Sequence, residues 1–171
     1  MKKSKSLYHG HRFPAGVISC AVRWYFRFQL SLRDIEELLF ERGVTVTYET
    51  IRCGCDKFGK GFAHRVKAAR RKPGSTWHLA NVKHVFVKAA ARLNNRAENS
   101  HQPTRERERR MRGFRDPKRT QEFLSCFGPI RQHFAIRRHL LRASLYRKQL
   151  AARFVAWCEL TEGTQNPSCP F

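Results

Sequence analysis

Apolar residues recur at three- and four-residue spacing in three successive runs over the first sixty positions. Such spacing places the apolar side chains on one face of an α-helix. The apolar positions are Val17, Ile18, Ala21, Val22, Tyr25 and Phe28 in the first run, Leu32, Ile35, Leu38 and Leu39 in the second, and Tyr48, Ile51, Cys55, Phe58 and Phe62 in the third. The pattern therefore predicts three amphipathic helices in the first part of the chain.

The residues around these runs carry signals for the ends of helices. Pro14 suits the first turn of a helix, and Ser31 with Asp34 three positions later has the spacing of a capping box. Gly43 follows the second run, where a left-handed C-cap is favoured, and Thr47 is an N-cap for the third helix. Three short helices with a Gly-containing turn before the last are typical of a helix-turn-helix, although an ordinary three-helix bundle has the same pattern.

In a helix-turn-helix, the last helix enters the major groove of DNA, and its N-terminal residues contact the edges of the bases. If the third helix has this role, the residues at its start are candidates for DNA binding, together with the preceding turn and one residue of the second helix. The candidates are Arg33, Thr45, Thr47, Tyr48, Glu49, Thr50 and Arg52. We expect Arg33, Thr45 and Thr47 at the phosphate backbone and the other four at base edges.

Charge strengthens this interpretation. The 171 residues include 35 Lys and Arg against 13 Asp and Glu, a net charge of +22. Self-repulsion on that scale disfavours a compact monomer unless a polyanion or counterions screen it. Nucleic acid is the natural partner, because each neutralised phosphate releases condensed counterions. A ribosomal-type RNA binder and a solvated basic surface without a specific partner are the alternatives.

No run of apolar residues approaches the roughly 18 positions that a membrane-spanning helix requires. The N-terminus is basic (MKKSK), but no apolar stretch of a secretory signal follows it. We therefore expect no membrane partner and a cytoplasmic, nucleoid-associated location. The six cysteines form no C-x-x-C pair, so we expect reduced thiols rather than a zinc site.

Five short stretches between residues 11 and 65 share a pattern with a known family. They are residues 13–14 (FP), 21–25 (AVRWY), 30–39 (LSLRDIEELL), 41–44 (ERGV) and 48–52 (YETIR). This region resembles the N-terminal part of DDE-type transposases from small single-gene bacterial insertion sequences, which move by replicative cointegrate formation. The resemblance implies a helix-turn-helix that recognises terminal inverted repeats. Gly54 stands where the family has Trp or another bulky residue, so we expect a packing gap and a looser helix there.

The catalytic chemistry of such an enzyme would lie in the middle of the chain. Residues 77–82 (WHLANV) and 85–87 (VFV) have strand character, and the resemblance implies that they begin an RNase H-like domain. The first metal-binding carboxylate of the family corresponds to Ala80, whose methyl group cannot ligate Mg²⁺. Between Asp56 and Glu98 the sequence contains no Asp or Glu. We therefore expect an internal deletion, because an RNase H-like sheet needs on the order of 100 residues there.

The resemblance resumes at residues 93–105 (LNNRAENSHQPTR), which are similar to the family motif that holds the third catalytic acid on a helix. Glu98 takes the place of that acid. Without its two partners, a solvated Glu at the start of a charged helix is the alternative. The histidines lack the i, i+4 spacing beside a general base that helical metal sites show. We expect no metal and no cofactor in this chain, whereas an intact relative would use Mg²⁺.

Further helices are predicted in the last third. Residues 94–112 are helical in composition, and Asp116 followed by Pro117 marks a helix start. Gly128 and Pro129 predict the end of that helix, and a last helix is expected from about 130 to 160. In a complete enzyme of the family, some of its apolar residues would have packed on the sheet that is missing here. Their loss of a partner predicts exposed apolar surface, self-association or a collapsed helical bundle.

Together these patterns predict a mainly α fold with a short remnant β segment. The expected organisation is a helix-turn-helix domain at 11–65, a basic linker at 66–76, a truncated remnant of the RNase H-like domain at 77–112, C-terminal helices at 113–161 and a flexible tail at 162–171. The expected function is that of a transposase-derived protein that binds double-stranded DNA at terminal inverted repeats and does not cleave or join it. Self-association and association with an intact transposase are the expected protein contacts. An active DDE transposase, a small basic helix-turn-helix regulator and an RNA-binding protein are the alternatives.

Overall fold

The computed structural model describes residues 7–70, 95–136 and 138–162, with the backbone alone for residues 95–100 and 162. The helices are α1 (Ala15–Arg27), α2 (Leu32–Phe40), α3 (Tyr48–Ala68), α4 (Asn95–Arg110), α5 (Pro117–His133) and α6 (Ala143–Glu162), with a short 3₁₀ helix at Arg138–Leu140. The prediction of a mainly α fold is confirmed, and no strand occurs within these described ranges. The segment predicted as remnant β, at 77–82 and 85–87, and the tail from 163 onward lie outside them.

The ends of α2 form as their sequence signals predict. The Ser31 hydroxyl accepts a hydrogen bond from the Asp34 backbone N–H at 3.1 Å, and the Asp34 carboxylate accepts one from the Ser31 N–H at 2.7 Å. At the other end Gly43 has a φ of +75°, and the Val44 N–H bonds back to the Leu39 carbonyl at 2.9 Å. This is the wide turn of a Schellman motif, which ends α2 and directs the chain towards α3.

α3 is the longest helix in the described part of the chain, with 21 residues. Thr47 caps it, because its hydroxyl accepts a hydrogen bond from the Thr50 N–H at 3.4 Å. The helix runs to Ala68, so residues 66–68 of the predicted linker continue α3, whereas residues 71–76 lie outside the described part. Because α3 extends far beyond its contact with α2, its second half is available to pack against other elements.

The C-terminal helices complete the core around α1 and α3, within a compact unit of residues 1–69 and 121–171. Trp157 of α6 packs edge-on against Phe62 of α3, with ring centroids 5.6 Å apart. The Tyr8 hydroxyl donates to the Thr161 carbonyl at 2.9 Å, and Arg65 donates to the carbonyl of Leu160 at 2.8 Å. Of the three outcomes expected for the C-terminal apolar residues, a helical bundle is thus present.

Exposed apolar side chains accompany this bundle. Leu140, Leu145 and Val155, all in the region of the 3₁₀ helix and α6, are exposed. Single exposed apolar side chains are common on protein surfaces, so the expected exposed apolar surface stays a prediction.

A second compact unit comprises residues 70–120. Its described part contains α4, which ends with Arg112 and Gly113 in the left-handed region at φ of +57° and +89°. The Gly113 N–H bonds back to the Glu108 carbonyl at 2.9 Å. Asp116 then caps the start of α5, because its carboxylate accepts from the Lys118 N–H at 2.9 Å. The helix start predicted at Asp116 and Pro117 is confirmed.

The helix boundaries predicted near residue 129 are wrong. α5 continues through Gly128 and Pro129 to His133, and the next helix in the described part of the chain begins at Arg138. A proline inside a helix loses one backbone hydrogen bond and costs about 3 kcal/mol. Phe127 and Ile130 are both buried in the core, and their burial outweighs that cost. The break instead falls in the predicted last helix, between His133 and α6.

The cysteines largely match the expectation of free thiols. Cys20, Cys55 and Cys126 are thiols buried in the core, and Cys53 is an exposed thiol. Cys158 is disulfide-bonded, so the expectation is wrong at that position. Its pairing depends on which thiols the fold brings together, and spacing alone does not show that. Among the described helices none is both long and apolar enough to cross a membrane.

Candidate nucleic-acid interface

The candidate DNA-binding residues lie around the N-terminal end of α3, and all are at least partly exposed. Tyr48, Glu49 and Thr50 form the first turn of the helix, and Tyr48 is 44% exposed. One turn further along α3, Ile51 and Cys55 are buried against the core. These buried residues hold the N-terminal end of α3 in place, while its polar side chains reach solvent.

α2 contributes Arg33 to the same surface. The Arg33 guanidinium lies over the ring of Tyr48, 5.6 Å from its centroid. A cation–π contact of this kind contributes about 0.5–1 kcal/mol at an exposed site. It brings together two candidates from different helices, one expected at a phosphate and one at a base edge. Thr47 and Thr50 also meet, with their hydroxyl oxygens 3.0 Å apart.

Arg52 is held between two carboxylates on α3. Its Nε lies 3.1 and 3.0 Å from the two carboxylate oxygens of Glu49, and its Nη1 lies 3.1 Å from Asp56 Oδ2. The hydrogen bonds from Arg52 lower the pKa of the Glu49 carboxyl. Glu49 takes the Nε and Nη2 side of the guanidinium and Asp56 takes Nη1, so one N–H on each terminal nitrogen remains for a ligand. Asp56 was not among the sequence candidates, although its i+4 spacing from Arg52 could have indicated the pair.

The charge around these candidates is opposite to that of the whole chain. Residues 31–56 contain six acids and three arginines, in a protein whose net charge is +22. The acids are Asp34, Glu36, Glu37, Glu41, Glu49 and Asp56. From residue 57 to 72 there are seven Lys or Arg and no acid. The segment that contains most of the candidates is therefore acidic, and the basic residues of α3 begin immediately after it.

Two basic residues beside the candidates were not predicted from the sequence. Lys57 of α3 and His11, which precedes α1, lie with Nζ and Nε2 2.9 Å apart. Both line a cleft of about 420 Å³ that also includes Thr45, Thr47, Thr50 and Gly54. Lys57 is seven positions after Thr50 and thus on the same helix face, a signal that was available in the sequence. His11 reaches the cleft because Tyr8 packs on Phe58 and folds the N-terminal segment against α3.

The candidates for catalysis fall largely outside what the structure describes. Ala80 lies outside it altogether, and Glu98 lies in α4 at a position where the backbone alone is described. Within the described part, no three His, Cys, Asp or Glu side chains group as they would around a metal ion.

Comparisons with known proteins add no family to this geometry. The chain matches no protein-family model, no curated protein and no solved structure.

Proposed function

We propose that the chain binds double-stranded DNA, with α2 and α3 acting as a helix-turn-helix and α3 entering the major groove. The proposal rests on the exposed first turn of α3, where Tyr48, Glu49 and Thr50 lie above a buried face. A recognition helix needs both features, because its first residues must reach base edges while its position is held by the fold. The Thr47 cap and the turn at Gly43 help to hold the start of α3 in position.

Among the candidates, Arg52 has a side chain whose orientation is fixed by hydrogen bonds, which suits it to base recognition. An arginine that presents one N–H on each terminal nitrogen can donate to O6 and N7 of guanine. Glu49 and Asp56 hold the rest of the guanidinium, which lowers the entropy that Arg52 would lose on binding. We therefore assign Arg52 to a guanine and Glu49 to the orientation of Arg52.

The acidic balance of residues 31–56 supports sequence-selective rather than indiscriminate binding. A carboxylate close to a DNA phosphate makes the free energy of binding less favourable through repulsion. In a duplex with the matching bases, the contact of Arg52, which Glu49 and Asp56 hold, offsets that cost. The remaining basic surface attracts any duplex through counterion release. Together the two surfaces allow long-range attraction to all DNA while penalising duplexes that lack the matching bases.

The resemblance of residues 11–65 to DDE-type transposases identifies the terminal inverted repeats of an insertion sequence as the proposed target. The same resemblance assigns Ala80 to the place of the first catalytic carboxylate, and residues 57–97 contain no acid. Two-metal phosphoryl transfer requires convergent carboxylates. We therefore propose binding without cleavage or joining, so that the protein competes with an intact transposase for the same repeats and represses transposition.

The test is a gel-shift titration of the purified chain over a salt series. One duplex carries the terminal inverted repeat of the insertion sequence that encodes the chain, and the other is a scrambled duplex of equal length. We expect a preference for the repeat of about 10³-fold or more, as specific sites typically show. Equal binding to both duplexes, with a steep salt dependence, would contradict the proposal. Tighter binding to an RNA hairpin than to either duplex would favour the RNA-binding alternative instead.

A pair of variants makes the test residue-specific. Arg52→Gln should lower the affinity for the repeat by about 5- to 150-fold, because a good bidentate contact contributes about 1–3 kcal/mol. Arg147→Gln makes the same charge change at an exposed position of α6 and is the matched control. The control should weaken binding to the repeat and the scrambled duplex equally and only slightly. If both variants behave alike, Arg52 has no part in base recognition.

A further inference from the structure

A cleft lies beside the candidate DNA-binding residues, between the segment before α1, the turn before α3 and the first half of α3. Its volume is about 420 Å³, and its lining includes His11, Arg12, Thr45, Thr47, Gly54 and Lys57. Three of these residues carry groups that donate hydrogen bonds to anions, and the two threonines add hydroxyls. The cleft thus combines basic and hydroxyl side chains at one edge of α3.

The pair of His11 and Lys57 defines the chemistry of the cleft. An ammonium group has only donors, so at a separation of 2.9 Å the Lys57 Nζ donates and the His11 Nε2 accepts. An anion between the two groups would allow both to donate to it, provided that His11 takes up a proton. The imidazole is already held in place by edge-on packing on Phe58, with centroids 5.0 Å apart.

Gly54 keeps the cleft open. A Cβ atom added at this position meets no other atom within 4 Å. Gly54 lies between Thr50 and Lys57 on one face of α3, at spacings of four and three residues. A larger side chain here would lie across the same face as the basic pair. The packing gap expected at Gly54 from the sequence is therefore part of this cleft.

The other charged or titratable groups in the lining are few. Arg12 adds a positive charge from the N-terminal segment, Glu36 adds a negative charge from α2, and Cys53 adds a thiol from α3. The turn contributes no ionisable group. With His11 neutral, the two cations exceed the one carboxylate, and protonation of His11 increases that excess. This excess of positive charge favours an anionic ligand.

We propose that the cleft holds one backbone phosphate of the DNA duplex, and that His11 takes up a proton from solvent as the phosphate enters. This inference rests on the proposed function, because the candidate DNA-binding residues must first place a DNA strand beside the cleft. A phosphodiester carries one negative charge and lies between two sugars, so it can enter a cleft that is open to solvent while the strand continues past it. Lys57 and His11 then donate to its oxygens, and the Thr45 and Thr47 hydroxyls flank it.

The experiment measures the affinity of the full chain for the repeat duplex as a function of pH and salt. Histidine side chains change charge between about pH 5 and 8, whereas phosphodiesters and lysines do not. If binding includes proton uptake at His11, the affinity of the unaltered protein falls as pH rises from 6 to 8. His11→Phe retains the ring on Phe58 without ring nitrogens and should flatten this dependence. His139→Ala removes an exposed histidine outside the cleft and should leave it unchanged.

Lys57→Gln tests the same site through salt. Loss of one phosphate contact should reduce the slope of log affinity against log salt by about 1, with equal weakening for repeat and scrambled duplexes. Lys148→Gln, at an exposed position of α6, is the control for charge and should leave the slope nearly unchanged. Unfolding curves of all four variants verify that each is folded at the pH and salt used.

The outcomes separate this inference from the proposed function. If the unaltered protein prefers the repeat but His11→Phe and Lys57→Gln match it in pH and salt dependence, the phosphate site is wrong and the DNA-binding function stands. If no duplex binds selectively, the function itself fails. A free anion site is a third result. There, phosphate replacing chloride at equal ionic strength raises the unfolding midpoint of the unaltered protein but not of Lys57→Gln, and DNA titrations are identical. That result also overturns the inference.

Discussion

The two halves of α3 differ in charge and in what they contact. Residues 48–56 contain Glu49 and Asp56 around a single arginine, whereas residues 57–68 contain four Lys or Arg and no acid. The first half exposes its polar side chains at the candidate DNA surface. The second half buries Phe58, Phe62 and Val66. One continuous helix therefore has a first half whose polar side chains are exposed and a second half that packs against other elements.

The second half is held by elements distant in sequence. Phe62 meets Trp157 of α6, and Lys60 forms an ion pair with Glu122 of α5 at 3.0 Å. Among the described residues, the exposed side chains of the first half form no such contacts, and their hydrogen bonds stay within α3 and its cap. Rigid anchoring at one end allows the other to remain solvated and still be well positioned, which is what a binding site requires.

Removal of an aromatic ring from each half should give the largest difference. Phe62→Ala should lower the free energy of unfolding by about 3–5 kcal/mol, because Phe62 is 1% exposed and contacts several rings. Tyr48→Ala should lower it by less than about 1 kcal/mol, the value of its contact with Arg33. Urea denaturation of both variants measures the two values. A similar loss in both would show that the N-terminal half also depends on tertiary packing.

The two glycines in the helix make a subtler pair. A Cβ at Gly59 would lie 2.9 Å from Phe26 Cε2 and 3.5 Å from Cys126 Sγ, so Gly59→Ala should destabilise the protein by about 1–3 kcal/mol through overpacking. Gly54→Ala meets no atom and should stabilise it by about 1 kcal/mol, the helix propensity of alanine over glycine. Thermal and urea unfolding test the opposite signs. Stabilisation by both substitutions would mean that α1 and α5 yield to the added methyl group.

Local features of the fold were predictable because their chemistry lies in adjacent residues. The capping box at Ser31, the left-handed glycine at Gly43 and the cap at Thr47 depend on residues within five positions of each other. The start of α5 at Asp116 and Pro117 is of the same kind. In each case the side chain or the backbone freedom that ends a helix is present in the segment itself.

Features that depend on distant segments were not predictable in the same way. Pro129 stays inside α5 because Phe127 and Ile130 are buried, and their burial depends on packing against segments distant in sequence. The packing of Trp157 on Phe62 joins residues 95 positions apart. His11 becomes part of the cleft only through the folding back of Tyr8 onto Phe58. Lys57 and Asp56 were closer to prediction, because helical spacing alone relates them to Thr50 and Arg52.

The smallest expected effect concerns the ion pair that distinguishes the first half of α3. The hydrogen bonds from Arg52 lower the pKa of Glu49 in the folded state. A carboxyl with a lowered folded pKa stabilises the protein above its unfolded pKa, and this contribution is lost as pH falls through the folded value. Both side chains are largely exposed, so the effect on the free energy of unfolding should be slight.

The pKa of Glu49 reports its ion pair with Arg52 more directly than the free energy of unfolding does. NMR titration of the Glu49 carboxyl should show a higher pKa in Arg52→Gln than in the unaltered protein, because the donor is gone. Arg42→Gln is the control, since Arg42 lies 3.9 Å from Glu41 and has no hydrogen bond to Glu49. An unchanged Glu49 titration in Arg52→Gln would mean that the pair does not persist in solution. Arg52 would then approach DNA without prior orientation, and the acids of this half would act through repulsion alone.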